Sequence, residues 1–304
     1  MAMNKVLVVG GTGFIGKALV SHLREEGYEP LIFSRDGSQL MANRINPDTD
    51  GLIPAEVVAN LDGIVNLAGE NIGQRWSPAI KDKILASRVD TTQRIVAALR
   101  RNRQRGLAVP GVLINASAVG YYQRRSLDSQ TEDSPPGEGF LAEVCRQWEE
   151  AALAAAAEGV RVAVLRFGIV LGPDGGVLSQ MARPFRWGVG GVIGSGRQYL
   201  SWIHRKDLVR AVALVLGRTD MAGPYNLTSS GPVPMAEFMR SLGKVLGSPS
   251  WTKMPDFMAR LALGEMADEL LLADQRVVPK RLIEQGFVFS FPEITPALAE
   301  IYRR

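Results

Sequence analysis

The run Lys5-Val6-Leu7-Val8-Val9 passes directly into Gly10, Gly11, Thr12, Gly13, Phe14, Ile15 and Gly16. An apolar strand, a glycine-rich turn and an amphipathic segment in unbroken succession narrow the choice of fold sharply. They read as the opening strand–turn–helix of a parallel α/β sheet that grips a dinucleotide pyrophosphate. Glycine reaches backbone angles closed to other residues and lets the chain approach a phosphate. The first N–H groups of the helix that follows point at the anion. On the glycine pattern alone, a tight bend without a ligand is the alternative. The flanks favour the ligand site: Leu19, Val20 and Leu23 give the segment an apolar face, and a second apolar run, 30–33, ends in Ser34-Arg35.

Strand candidates recur at 5–9, 30–33, 63–67, 111–116 and 161–166. Helical patterns fill 14–26, 77–100 (with room for a break) and 139–157. This alternation predicts an α/β, Rossmann-type doubly wound parallel sheet with helices on both faces. The stretch 37–59 has room for a loop and a short helix, so the first half of the sheet is expected to be trimmed. Residues 171–200 are rich in glycine and 206–217 return to a helix; the rest reads as a smaller, mostly α domain, with Asn226-Leu227-Thr228 a short strand just before it. The expected domains are 1–170 for NADP binding, with 201–221 returning to it, and 171–304 for the substrate side. Met254, Met258 and Met266 are expected in the core.

Composition removes several classes. The single cysteine, Cys145, permits no intrachain disulfide and fits a reducing compartment. The chain starts without a signal-peptide pattern, so a cytoplasmic location is expected. His22 and His204 are too isolated to imply a metal site. A formal charge of +4, with no basic tract interleaved with aromatics, argues against nucleic acid. The alanine-rich stretch 151–157 is too short for a membrane span. Arg124-Arg125 and the group Arg100, Arg101, Arg103 and Arg105 read as solvated ends of helices and loops. The expected partner is a small-molecule substrate, with neither nucleic acid nor membrane; a homodimer is left open.

Arg35 decides the cofactor expectation. An acidic residue near this position suits the adenosine ribose of NAD, whereas an arginine offers planar donors to a 2′-phosphate. Ser34 adds a hydroxyl. NADP (NADPH) is therefore favoured, although Asp36 next door is able to take the ribose role instead. Asn66-Leu67-Ala68-Gly69 closes the next strand at the same sheet edge, where Ala68 and Gly69 leave space for the cofactor; Glu70 either holds a ribose hydroxyl or caps the loop with Asn71.

GGTGFIG at 10–16, NLAG at 66–69 and NASAVGYY at 115–122 resemble the extended, nucleotide-sugar-epimerase-like short-chain dehydrogenases/reductases. LAGENI at 67–72, RW at 75–76, SR at 87–88, FLAEVCRQWE at 140–149, GSGR at 194–197, SWIH at 201–204 and GEMADELLL at 264–272 resemble, more narrowly, the bacterial and organellar group labelled "epimerase family protein". The resemblance spans nearly the whole chain and is weakest at 37–55. It implies a serine or threonine, a tyrosine and a lysine that move a proton while NAD(P)H moves hydride, with backbone at Phe167 to Ile169 near the nicotinamide amide. Ser117 matches the serine. Phe140 and Val144 stand where the tyrosine and lysine are expected, and neither is able to do that chemistry.

Tyr121 and Tyr122 are the nearest replacements, with Lys83, Arg88 or Arg124 as the charge that would tune them. Cys145 reads as structural, though Arg146 beside it is able in principle to lower its pKa. Arg197 is a candidate anion binder, and His204 is a structural residue before it is an acid or base. The resulting expectation is an NADP(H)-dependent oxidoreductase acting on a carbonyl or alcohol, with Ser117 anchoring the substrate oxygen. A non-catalytic NADP(H)-binding sensor or scaffold and a nucleotide-sugar epimerase are the alternatives.

Overall fold

The computed structural model of the protein describes residues 4–33, 43–126 and 128–303. At its centre lies a seven-stranded sheet: β1 (Lys5–Val9), β2 (Glu29–Phe33), β3 (Arg44–Ile45), β4 (Gly63–Asn66), β5 (Val112–Ala118), β6 (Arg161–Phe167) and a late strand, β11 (Gly223–Leu227). Four short strands intervene before β11: β7 (Ile169–Leu171), β8 (Gly191–Ile193), β9 (Tyr199–Leu200) and β10 (Trp202–His204). The sheet runs in the order β11-β6-β5-β4-β1-β2-β3, and every neighbouring pair is parallel. The order reverses between β1 and β4, and a crevice opens outside the strand ends at such a point.

Strands buried on both faces need apolar residues at successive positions, which explains the unbroken run in β1. On one face, Leu19, Val20 and Leu23 of α1 (Phe14–Glu25) meet Leu208, Val212 and Val215 of α6 (Arg205–Gly217). On the other, Ile95, Val96 and Leu99 of α3 (Pro78–Gln104) join Val58 of α2 (Ala55–Ala59) and Ala152 of α4 (Phe140–Leu153). Ser77 caps α3, its hydroxyl accepting from the Ile80 N–H at 3.3 Å, and Pro78 occupies the first turn. The helix then runs 27 residues without the break that its sequence allowed.

Beyond β7, helices α5 (Gly176–Arg186), α7 (Met235–Leu246) and α10 (Ile294–Tyr302) enclose a third core around Trp202 and Phe238. β12 (Val233–Pro234) pairs with β9, and β13 (Thr252–Met254) pairs with β8. Helices α8 (Asp256–Leu263) and α9 (Lys280–Glu284) complete this part. Among the described residues, no helix is long and apolar enough to cross a membrane.

Three expectations need correction. The segment 223–227 is the edge strand of the main sheet, so the return to the nucleotide-binding layer runs past residue 221. The short strand expected at 226–228 overlaps its last residues; the Gly-Pro start and the pairing with β6 are what the sequence did not show. Met254 and Met258 are exposed, and only Met266 of that trio is buried. Two arginines taken as solvated are structural: Arg101 is 15% exposed and holds Asp48 at 2.6 Å, and Arg124 pairs with the buried Glu269 at 3.2 Å, whereas Arg125 stays 66% exposed as expected.

Candidate cofactor and active site

The turn after β1 is built for close approach. Gly10 has φ +81°, and a Cβ there would lie 3.0 Å from the Leu67 carbonyl carbon. At Gly16 a Cβ would press into the backbone of the turn itself, 2.6 Å from the Gly11 Cα. Gly13 caps α1 without any side-chain hydrogen bond, so the first-turn N–H groups stay open toward the crevice. Phe14 anchors this helix start: its ring lies against Gly175 and Gly176 on one side, and the Arg205 guanidinium is 4.7 Å from its centroid.

A cavity of about 350 Å³ lies over the turn. Of the expected cofactor residues, Gly10, Thr12, Gly13, Leu67, Ala68 and Gly69 line it. Phe14, Ile15 and Gly16, also expected there, are not among the lining residues. Glu70 is exposed and accepts from the Gln74 side chain, while its backbone N–H and carbonyl are taken by Ser87 and Arg88, so its carboxylate is not part of the lining. Phe167 and Ile169 are not part of it either; the Gly168 and Ile169 N–H groups are spent on the Leu227 and Ser201 carbonyls. Ser34 and Arg35 lie outside the described residues.

The opposite wall was missed: Pro47, Gly51, Ile53, Thr91, Arg94 and Ile95. Arg101 folds the 47–53 loop onto α3 by bonding Asp48 and the Ile53 carbonyl. Arg94 is exposed and has no ion pair or side-chain hydrogen bond among the described residues.

Next to this cavity, at the end of β5, the three candidate catalytic residues separate. Ser117 donates its hydroxyl proton to Glu149 at 2.6 Å. Glu149 is held through two hydrogen bonds by Arg166, at 2.9 and 2.8 Å. Arg166 also donates to the Tyr122 hydroxyl at 2.8 Å, and Tyr122 in turn donates to Asn226 at 2.6 Å. Every member is buried. Burial alone would lower the Arg166 pKa, but the Glu149 carboxylate outweighs it and the pKa is raised. Burial pushes the Tyr122 phenol up to about 12, against the opposing pull of Arg166.

The expectation for Tyr122 is therefore corrected: it is a fully buried tie between sheet and loop, with its proton already committed. Ser117 has one proton, given to Glu149, so toward a ligand it offers only an acceptor. Tyr121 differs. Its ring stacks on the Arg166 guanidinium at 3.5 Å, it is half-buried, and its hydroxyl has no hydrogen-bond partner among the described residues. The charge beside both tyrosines is Arg166, not Lys83, Arg88 or Arg124.

Residues 6–228 match the family described as the NAD dependent epimerase/dehydratase family. The chain is a member of that family. Residues 254–301 match a domain of unknown function (DUF1731). The chain is 41% identical to the epimerase family protein SDR39U1 homolog, chloroplastic, of Arabidopsis thaliana, over 97% of this chain and 86% of that one. It is 34% identical to epimerase family protein YfhF of Bacillus subtilis, over 97% of each. The crystal structure of human epimerase family protein SDR39U1 (isoform 2) with NADPH superposes with a TM-score of 0.86 at 34% identity, covering 98% of each chain. MoeE5 in complex with UDP-glucose and NAD shares the fold, with a TM-score of 0.77 at 24% identity over 98% of this chain and 97% of that one.

The start of α4 is where the resemblance implied a tyrosine and a lysine. Phe140 packs edge-on against Trp76 at 5.1 Å, with the Lys81 ammonium 4.9 Å from its centroid, and Val144 is buried. Lys81 also pairs with Glu265, which ties this corner to the C-terminal part. Glu269 accepts from the Leu141 N–H and pairs with Arg124. Apolar packing thus fills the place where a proton-transferring pair was expected.

Cys145 lies one turn on. Burial pushes its thiol up to about 11, Glu149 adds to the rise, and Ser117 and Arg88 act against it. Arg146 is paired with Glu143 and does not activate it. Arg197 is exposed on the far turn. His204 caps α6, its Nδ1 accepting from the Lys206 N–H at 3.2 Å and its Nε2 meeting Glu300 at 3.0 Å. Both ring nitrogens are engaged in structure. Among the described residues there is no cluster of three or more metal-ligating side chains.

Proposed function

We propose that this chain is an NADP(H)-dependent oxidoreductase that interconverts a carbonyl compound and its alcohol. The observation that carries the reading is the cavity over the glycine turn, whose size suits a small-molecule site. Gly10, Thr12, Gly13 and the open first turn of α1 would hold the pyrophosphate, and Leu67 to Gly69 the ribose beyond it. The printed description of the human relative, crystallised with NADPH, supports the cofactor. So does Arg94, a free cation on the cavity wall, which suits a cofactor with an extra phosphate.

The nicotinamide would supply the hydride; the chain must supply one proton to the substrate oxygen. Tyr121 is the candidate for that role, because its hydroxyl has no hydrogen-bond partner among the described residues and the Arg166 charge lies against its ring. Ser117 orients rather than donates. Single-turnover oxidation of NADPH, followed by absorbance against a panel of aldehydes, ketones and nucleotide sugars, tests the reading. Consumption with any carbonyl substrate supports it, and none across the panel, with NADPH bound, overturns it.

A second reading, an NADP(H) sensor without turnover, is favoured by Phe140 and Val144. The two part at Tyr121→Phe, which lowers turnover by about 10²–10⁴-fold in the first and has no turnover to lower in the second.

A further inference from the structure

The half-buried Arg88 serves so far only as a donor to the Glu70 carbonyl and as a neighbour of Cys145. It lies on α3, three residues before Thr91, so its side chain shares the face that Thr91 and Ile95 turn to the cavity. Its guanidinium sits 5.2 Å from the centroid of the Trp148 ring. It also lies where a side chain on residue 69 would be, 2.9 Å from the Cβ position of Gly69. Gly69 is bare where Arg88 needs the room.

Two of its nitrogens donate to neutral acceptors, the Ile84 carbonyl at 3.0 Å and the Glu70 carbonyl at 3.1 Å. A guanidinium has five N–H donors, so three remain. None of its nitrogens is among the sealed-off polar atoms without a partner. Among the described residues no carboxylate pairs with it, whereas the buried Arg166 and the half-buried Arg101 each hold one. Removing a charge from water without a counter-charge is costly. Burial lowers the Arg88 pKa, and the nearby Cys145 and Glu70 offset this only in part. Ser117, which like Arg88 acts on Cys145, has already given its proton away.

We infer that Arg88 receives a carboxylate of the substrate, so that the carbonyl compound or alcohol turned over at this site is a carboxylate-bearing one. The inference rests on the oxidoreductase reading above and adds the substrate class. The guanidinium fork offers two parallel donors to a carboxylate. It lies against Gly69, a residue of the cavity wall, without itself being one of the lining residues.

Oxamate is a suitable probe, titrated into the NADP-loaded protein by calorimetry, for the wild type, Arg88→Met and Arg88→Lys. Saturable binding to the wild type is expected, weakened at least about tenfold in Arg88→Met and less in Arg88→Lys, a loss of about 1.4 kcal/mol or more. NADPH affinity is expected to change less than about twofold in either variant, well under the same 1.4 kcal/mol. Arg88→Lys keeps the charge and serves if loss of the two carbonyl bonds unfolds Arg88→Met. No oxamate binding to the wild type overturns the inference, as does equal binding in the variants. A tenfold loss of NADPH affinity also overturns it, since Arg88 would then serve the cofactor. Failure of the wild type to bind NADPH, seen before any oxamate is added, sinks the parent reading instead.

Discussion

Glu149→Gln tests the buried network at its weakest point. The carboxylate accepts three hydrogen bonds, one from Ser117 and two from Arg166, and the paired side chains are 9% and 4% exposed. A glutamine keeps the shape but presents an amide N–H₂ to a donor and leaves the Arg166 charge without a counter-charge. Breaking a buried pair from one side costs about 3–5 kcal/mol. For a chain of this size each kcal/mol moves the melting temperature by about 2 °C, so a fall of about 6–10 °C is expected. Thermal unfolding followed by circular dichroism measures it. The double variant Glu149→Leu with Arg166→Met removes both charges and is expected to recover at least half of the loss, because the uncompensated cation is gone. A Glu149→Gln melting point within about 2 °C of wild type, equivalent to only about 1 kcal/mol, would refute the argument.

Gly16→Ala is expected to abolish NADPH binding, since its methyl group has no space against the Gly10–Gly11 backbone; unchanged titration of NADPH fluorescence would contradict that geometry. Tyr121→Phe should lower turnover by about 10²–10⁴-fold with NADPH affinity intact, the range for losing a positioned proton donor, read as single-turnover rate. Burial holds the His204 pKa below its ordinary 6.5, so the unfolded chain binds the proton more readily. Stability is then full above about pH 6.5 and falls as pH drops below it. Melting temperatures at pH 7.5 and 5.5 should show the fall, and His204→Asn, which keeps an acceptor at the α6 cap, should flatten it.

The sheet was legible where one residue's neighbours in sequence decide its state. β1, the glycine turn and α1 follow from local rules, and the strands at 63–66 and 161–167 announce themselves as apolar runs. β11 was legible only in its last residues, where Asn226-Leu227-Thr228 read as a short strand; its Gly-Pro start has no such signature, and its place in the main sheet exists only by pairing with β6. The near side of the cavity could be read from Gly10 to Gly13 and Leu67 to Gly69. Its far side, Pro47 to Ile53 and Arg94, is brought there by Arg101 across some fifty residues of chain, which no local pattern reports. The same holds for Glu149 and Arg166. One lies within a motif of α4 and the other ends β6, but only the parallel sheet sets them on Ser117 and Tyr122. The commitment of the Ser117 proton, and with it the prominence of Tyr121 and Arg88, becomes visible only there.

Fluorescence titration of the wild-type protein with NADPH and, separately, NADH addresses the account most directly. The account predicts saturation at one NADPH per chain and NADH weaker by at least about tenfold, or about 1.4 kcal/mol. Equal affinity for both would remove the assigned cofactor preference, and no binding of either would contradict the site itself.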